Sequence, residues 1–252
     1  MADIRVIERP APATAVATVY CFPHAGGAAG EYARWAEHTP GLRLAAVQPP
    51  GRSHDLGARA YTSMPELVRE IVTQVRFTPP FALFGHSLGG LVAFEVARAL
   101  EARRLRPVRL FVSSCPPPPL PGRPQPMHLL DDPGLHAEIV RRWGPLPAVI
   151  SSDKDLLAAA LACYRADLQV LETYEHVPGP KLRCPVTVVA GTAEPESGAW
   201  VTGWPEHTEG AFASCLRPGG HFHTREDLDG LGGLLGDTVR RDLLQAARGT
   251  TG

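Results

Sequence analysis

Three side chains and two backbone amides of this chain have the types and surroundings that attack of a serine on a carbonyl requires. The serine is Ser87, within Gly85-His-Ser-Leu-Gly89, between the apolar run Phe81–Phe84 and an amphipathic run from Leu91 to Leu100. That order reads as a strand, a sharp turn and a helix, with the serine at the turn. Gly85 and Gly89 flank it because a side chain at either place would collide in so tight a bend. The bend lifts the Ser87 hydroxyl clear of the backbone. The first turn of the helix leaves N–H groups without intrahelical acceptors beside it. This is the arrangement of a nucleophile elbow.

A serine hydroxyl is a poor nucleophile until a base accepts its proton. Behind such an elbow the expected chain order is Ser, then Asp or Glu, then His. Among ten histidines, His221 stands out in Pro218-Gly-Gly-His-Phe-His223, after a short apolar run, where two glycines let the loop fold back over Ser87. His223 is the alternative, and His86, inside the elbow, is placed to pack beside the nucleophile rather than activate it. The acid should follow the apolar run Val186–Ala190, and the loop there reads Gly191-Thr-Ala-Glu-Pro-Glu-Ser197. Glu194 is the expected acid and Glu196 the alternative. Its work would be to accept a hydrogen bond from the imidazole, fix the tautomer and stabilise the imidazolium. Two backbone N–H donors must meet the oxyanion. Leu88 supplies one, just after the nucleophile. The other is expected from Ala25, in the small-residue loop Pro23-His-Ala-Gly-Gly-Ala28 that follows an early apolar run.

These residues need a scaffold. Strands are expected at Ala15–Phe22, Leu42–Gln48, Phe81–Phe84, Val108–Ser113, Val186–Ala190 and Ala213–Leu216, with an antiparallel one at Ile4–Ile7. Helical patterns at Glu31–His38, Met64–Phe77, Leu88–Arg104, Ala199–His207 and Asp227–Ala247 alternate with them. Alternation of this kind predicts an α/β fold, a mostly parallel sheet flanked by helices on both faces. The reading is of an α/β-hydrolase fold, one domain over residues 1–252. The alternation breaks at 115–180, where a proline-rich loop precedes helical patterns at Gly134–Trp143 and Lys154–Tyr174. A stretch of that length with its own helices reads as an insertion over the site.

Composition suits a globular enzyme: 252 residues, 44% hydrophobic, 20% charged and a net charge of −1. Nothing in that balance points to nucleic acid or a membrane surface. No apolar run reaches the length of a membrane span, and Met1-Ala-Asp-Ile-Arg5 lacks the features of a signal peptide, so a cytoplasmic protein is expected. The five cysteines are scattered, with no Cys-x-x-Cys pair, so neither a disulfide framework nor a metal site is expected. Cys21, Cys184 and Cys215 read as small core residues.

Taken in order, Phe22-Pro-His-Ala-Gly-Gly27, Pro50-Gly-Arg52, Gly85-His-Ser-Leu-Gly-Gly90, Tyr164-Arg-Ala-Asp167, Val189-Ala-Gly191 and Pro218-Gly-Gly-His-Phe222 resemble the type II thioesterases, free-standing hydrolases that serve polyketide and non-ribosomal peptide synthases. The resemblance spans roughly residues 15–245. It implies Ser87 as nucleophile, His221 as base, the Ala25 and Leu88 amides as oxyanion hole and the inserted segment as a helical lid. It also implies the reaction: removal of misprimed or stalled acyl units from the phosphopantetheine arm of acyl or peptidyl carrier proteins. The substrate brings the phosphopantetheine, and no cofactor is expected. The chain departs from the family's pattern twice. Gly191-Thr-Ala-Glu-Pro195 stands where the family usually reads Gly-Asp-x-Asp-Pro, which puts Glu194 in the place of the usual aspartate. Ser53-His-Asp-Leu56 follows Pro50-Gly-Arg52 where a second arginine and an acid are usual.

Trp143, Leu146, Leu156, Leu157, Leu161 and Tyr164 are candidates to line the acyl chamber, with core packing of the lid as the plainer alternative. Arg98, Arg103, Arg104, Arg106 and Arg109 could meet an acidic carrier, or could form a solvated helix face. A monomer is expected. Competing readings are a carboxylesterase of the same fold, a thioesterase releasing a cyclised product, and a non-catalytic protein that docks on a synthase.

Overall fold

A computed structural model describes residues 3–10, 13–120 and 125–249, so Pro121–Pro124 of the proline-rich loop lie outside it. Among the described residues seven strands form one sheet: β1 (Arg5–Glu8), β2 (Ala17–Phe22), β3 (Leu42–Gln48), β4 (Phe81–His86), β5 (Leu110–Ser113), β6 (Val186–Gly191) and β7 (Phe212–Arg217). Their order is β1-β3-β2-β4-β5-β6-β7, with β1 antiparallel to β3 and every other pairing parallel. This is the α/β-hydrolase arrangement read from the sequence, including the antiparallel first strand. Parallel strands covered on both faces carry near-continuous apolar runs, and β4 is buried along its whole length.

Register decides where the chemistry falls. Phe22, Gly85, Val112, Val188 and Ser214 lie level across five neighbouring strands. The loops that leave this edge therefore start side by side. They carry residues 23–27, Ser87, Ser114, Glu194 and His221.

Helices α2 (Met64–Gln74) and α3 (Leu88–Ala102) cover one face. The short α1 (Gly30–Ala33) and the long α8 (Leu228–Gly249) cover the other, where Tyr32, Trp35, Leu231, Leu235 and Val239 are buried together. Expected boundaries shifted in a few places. Glu31–His38 is one α-helical turn followed by a 3-10 segment, Arg34–His38. The second helix stops at Gln74, and Val75 is already extended. The stretch around Ala199–His207 divides into α7 (Ser197–Gly203) and a 3-10 turn at Trp204–His207.

Between β5 and β6 lie α4 (Asp132–Trp143), α5 (Ala148–Ser151) and α6 (Lys154–Glu172). The four-residue α5 was not expected. Asp131 caps α4 by accepting from the Gly134 N–H, and Asp153 caps α6 by accepting from those of Asp155 and Leu156.

Two surface expectations are corrected. Arg109 is buried, and its guanidinium holds Asp242 through two hydrogen bonds and Thr187 through a third, so it belongs to no docking face. Arg98 is likewise engaged, by Glu95 and the Val177 carbonyl. Cys21 and Cys184 are buried as expected, but Cys215 is half-exposed because β7 is an edge strand. Among the described residues no helix is long and apolar enough to cross a membrane.

Candidate active site

The elbow takes the strained form that its glycines allow. Ser87 has φ 56° and ψ −123°, left-handed backbone that costs a non-glycine residue on the order of 1–3 kcal/mol. A Cβ on Gly85 would strike the backbone of Gly89, and one on Gly89 would strike the Phe22 carbonyl. Strand β4, the start of α3 and the end of β2 are thus pressed backbone to backbone. That contact sets the serine beside the loop that follows Phe22.

His221 and Glu194 meet as expected: Nδ1 of the imidazole lies 2.8 Å from Glu194 Oε1. A carboxylate can only accept, so Nδ1 carries the proton and Nε2 is left as the basic nitrogen. The other carboxylate oxygen, Oε2, accepts from the Ser114 hydroxyl at 2.7 Å and the Gly191 N–H at 3.1 Å. Burial alone would raise the Glu194 pKa, but the bonds from His221, Ser114 and Gly191 outweigh it and hold the carboxyl below its usual range. Of the two glutamates, Glu194 is buried on the imidazole and Glu196 is exposed. The sequence offered no reason to notice Ser114, whose φ of 46° turns its hydroxyl to the acid.

His223 is set aside by its contacts. Its Nε2 lies 3.1 Å from the Ser113 hydroxyl, which lies 2.9 Å from Nδ1 of His86. This buried chain underlies the elbow, and the His86 and His221 rings sit 5.1 Å apart. Burial lowers the pKa of His223 to about 4 and that of His24 to about 4, and pushes His86 well down too. Among the described residues the Ser87 hydroxyl makes no hydrogen bond with His221. Unliganded catalytic pairs are often loose and tighten around substrate.

The two expected oxyanion donors remain unspent. Leu88 opens α3, so its N–H has no intrahelical acceptor. The loop after β2 forms a turn in which the Gly27 N–H donates to the His24 carbonyl at 2.8 Å and Gly26 has φ 72°. The Gly26 N–H donates to Asp167 at 2.8 Å. The Ala25 N–H makes no hydrogen bond among the described residues.

Two rings of the insertion also reach this site. The Trp143 ring, at the end of α4, faces the His221 ring with centroids 6.2 Å apart. The Tyr164 ring, on α6, covers Gly26 so closely that a Cβ there would strike it. Leu157 is partly buried against the main core, and Leu161 is fully inside it, which matches the packing alternative. Arg52 and Asp167 pair in the interior, where sequence reasoning gave neither a role. Among the described residues no group of three or more His, Cys, Asp or Glu could hold a metal ion.

A serine elbow, a buried acid bonded to a half-buried imidazole and two free amides on a parallel sheet define a serine hydrolase of the α/β class. Residues 17–239 match the thioesterase-domain family, and the chain belongs to that family. It is 41% identical over 229 residues to the thioesterase PikA5 of Streptomyces venezuelae, covering 86% of this chain and 78% of that one. The structure is similar to that of the type II thioesterase BorB from the borrelidin biosynthetic cluster, at 35% identity and a TM-score of 0.84, covering 93% of this chain and 97% of that one. It is also similar to RedJ, the thioesterase of the prodiginine pathway in Streptomyces coelicolor, at 34% identity and a TM-score of 0.78, covering 89% and 93%. The protein is an enzyme that hydrolyses thioesters.

Proposed function

We propose that this chain is an editing thioesterase that clears acyl groups from the phosphopantetheine arm of acyl or peptidyl carrier proteins in a polyketide or non-ribosomal peptide synthase. The observation that carries the chemistry is the bond between buried Glu194 and His221 beside the Ser87 elbow. The pathway assignment leans on the likeness to PikA5, BorB and RedJ. Ser87 attacks the thioester carbonyl while Nε2 of His221 takes its proton. The Ala25 and Leu88 amides receive the oxyanion. The tetrahedral intermediate collapses, the pantetheine thiolate leaves with the proton from His221, and an acyl-enzyme remains. Water, deprotonated by His221, then attacks the ester carbon and releases a carboxylic acid. A thiolate leaves readily, so a glutamate in place of aspartate suffices provided it holds the imidazole. The anchored Oε2 of Glu194 supports that condition.

Residues 115–180 act as the lid within one α/β domain. Trp143 and Tyr164 form the chamber wall nearest the reacting atoms, with Leu157 and Leu161 behind them. The partner is a carrier protein met in the cytoplasm by a monomer, and no cofactor is required beyond the arm that the substrate brings.

The test is thiol release from acyl-pantetheine and from acyl-loaded carrier protein, with Ser87→Ala as control and product analysis by mass. Turnover that needs Ser87, yields the free acid and is faster on the carrier supports this reading. A cyclised product would replace editing by product release, and Ser87-dependent cleavage of oxygen esters but not thioesters would replace it by an esterase. Glu194→Gln should lower kcat by on the order of 10³-fold with little change in KM, through loss of the correct tautomer.

A further inference from the structure

Arg52 follows Gly51 in the loop after β3, and Asp167 sits in the C-terminal half of α6. Both are buried, with 4% and 5% of their surfaces exposed. They meet through two parallel bonds, Nη2 to Oδ1 at 2.8 Å and Nη1 to Oδ2 at 3.0 Å. Neither stops at its partner. Asp167 Oδ2 also accepts from the Gly26 N–H at 2.8 Å, and Arg52 Nη1 also donates to the Gly27 carbonyl at 2.9 Å.

The pair therefore grips the His24–Gly27 turn by one peptide N–H and the next residue's carbonyl. Two contacts on consecutive residues fix rotation as well as position, and rotation decides where the Ala25 N–H points. A cavity of about 20 Å³ lies against the pair, lined by Phe22, Pro23, Leu88 and Val92 together with Arg52 and Asp167.

We propose that Arg52 and Asp167 are positioning residues for thioester hydrolysis: they lock the turn so that the Ala25 amide faces the oxyanion, and they make that setting depend on α6. The carboxylate does this from outside the reacting centre, touching neither substrate nor Ser87. This rests on the reading of Ala25 as an oxyanion donor. It also gives a physical use to two sequence signatures, Pro50-Gly-Arg52 and Tyr164-Arg-Ala-Asp167, that the Ser–His–acid set leaves idle.

The experiment has three arms on the full-length chain. In the first, wild type is assayed with acyl-pantetheine and inhibited by the matching trifluoromethyl ketone. Ser87 adds to the ketone carbon, His221 takes the hydroxyl proton, and the resulting alkoxide occupies the oxyanion site. Failure of the wild type to turn over thioesters would sink the functional reading itself, separately from the clamp. In the second arm, Asp167→Asn should lower kcat by on the order of 10²-fold and weaken the ketone's inhibition constant by a similar factor, with KM within about threefold. Arg52→Lys, which keeps a cation on Asp167, should lose less than Asp167→Asn. Removing one partner strands a buried charge, so the double change Arg52→Met/Asp167→Leu removes both at once. A folded double variant with wild-type kcat and ketone affinity would overturn the proposal, because a purely structural pair would behave that way. The third arm needs no variant. The Gly26 amide of wild type should exchange with solvent as slowly as the interior amides of α6. Exchange at the rate of an open loop would overturn the clamp even if every variant failed to fold.

Discussion

Two parts of the insertion between β5 and β6 meet the site in opposite ways. Helix α6 buries Leu161, Cys163, Ala166, Asp167, Leu168 and Val170. Its Glu172 accepts from the Met127 and His128 N–H groups, and Asp167 reaches across to the turn after β2. By contrast, α4 buries only Leu135 and Ile139, and α5 buries nothing. Two ion pairs of α4, Arg141 and Arg142 with Glu138, stay on its own surface, and a third, Asp132 with Arg165, ties only its first residue to α6. Such exposed pairs contribute little to holding a helix in place. One insertion thus supplies a fixed wall, Tyr164 over Gly26, and a lightly held flap that carries Trp143 to His221. The proposed substrate, with its long arm, could be admitted by a yielding flap without disturbance of the turn after β2.

The largest expected effect tests the wall. Leu168→Ala on α6 should cost about 2–5 kcal/mol of unfolding free energy in denaturant titration. A loss under 1 kcal/mol would show that α6 is no better anchored than α4.

Acid should also attack the loops on which the insertion rests. His24 and His223 are held to about 4, below the ordinary histidine value, so the unfolded chain binds more protons than the folded chain between that value and about 6.5. Stability is therefore intact above about pH 6.5 and falls as the pH drops towards 4, by roughly 1.4 kcal/mol per unit for each histidine at most. Glu194, whose pKa is lowered, adds in the same direction as it protonates at lower pH still. Melting curves across pH 4.5–7.5 measure this, and His223→Gln should flatten the slope. A flat profile in wild type would contradict burial of these rings as neutral groups.

Trp143→Ala sharpens the view of the flap. It should raise KM for acyl-pantetheine by about tenfold, since a ring in a ligand pocket contributes on the order of 1–2 kcal/mol, while stability moves by less than about 1 kcal/mol. A large stability loss with unchanged KM would make Trp143 a core residue. The smallest effect belongs to Val149→Ser on α5, an exposed position where stability should stay within about 0.5 kcal/mol. Differential scanning fluorimetry suffices to check it.

What the sequence disclosed follows how locally each feature is encoded. The elbow lies within a few residues, so Gly85, Ser87 and Gly89 could be read together. Glu194 and His221 were found because each trails a strand, and strand ends are visible as the close of an apolar run. Arg52 and Asp167 stand 115 positions apart, and neither carries a local sign of its partner. The same holds for Arg109 and Asp242, 133 apart, which is why a buried arginine passed for a surface one. Helix α5 escaped because four residues after Pro147 span little more than one turn, too few to show a period. The 3-10 form of Arg34–His38 was missed for a related reason: its apolar spacing suits either helix type, and the chain must turn at Pro40-Gly41 to enter β3.

The contact of Gly89 with the Phe22 carbonyl carries a consequence for descent. It welds the turn at Ser87 to the strand from which the loop of residues 23–27 departs, so a drift in either is felt at once by the other. Lineages that part ways over which acyl chain to accept have little freedom to do so in that welded half. Their divergence should gather in α4 and α5, where a substitution alters what enters and leaves the bond-breaking step as it was inherited.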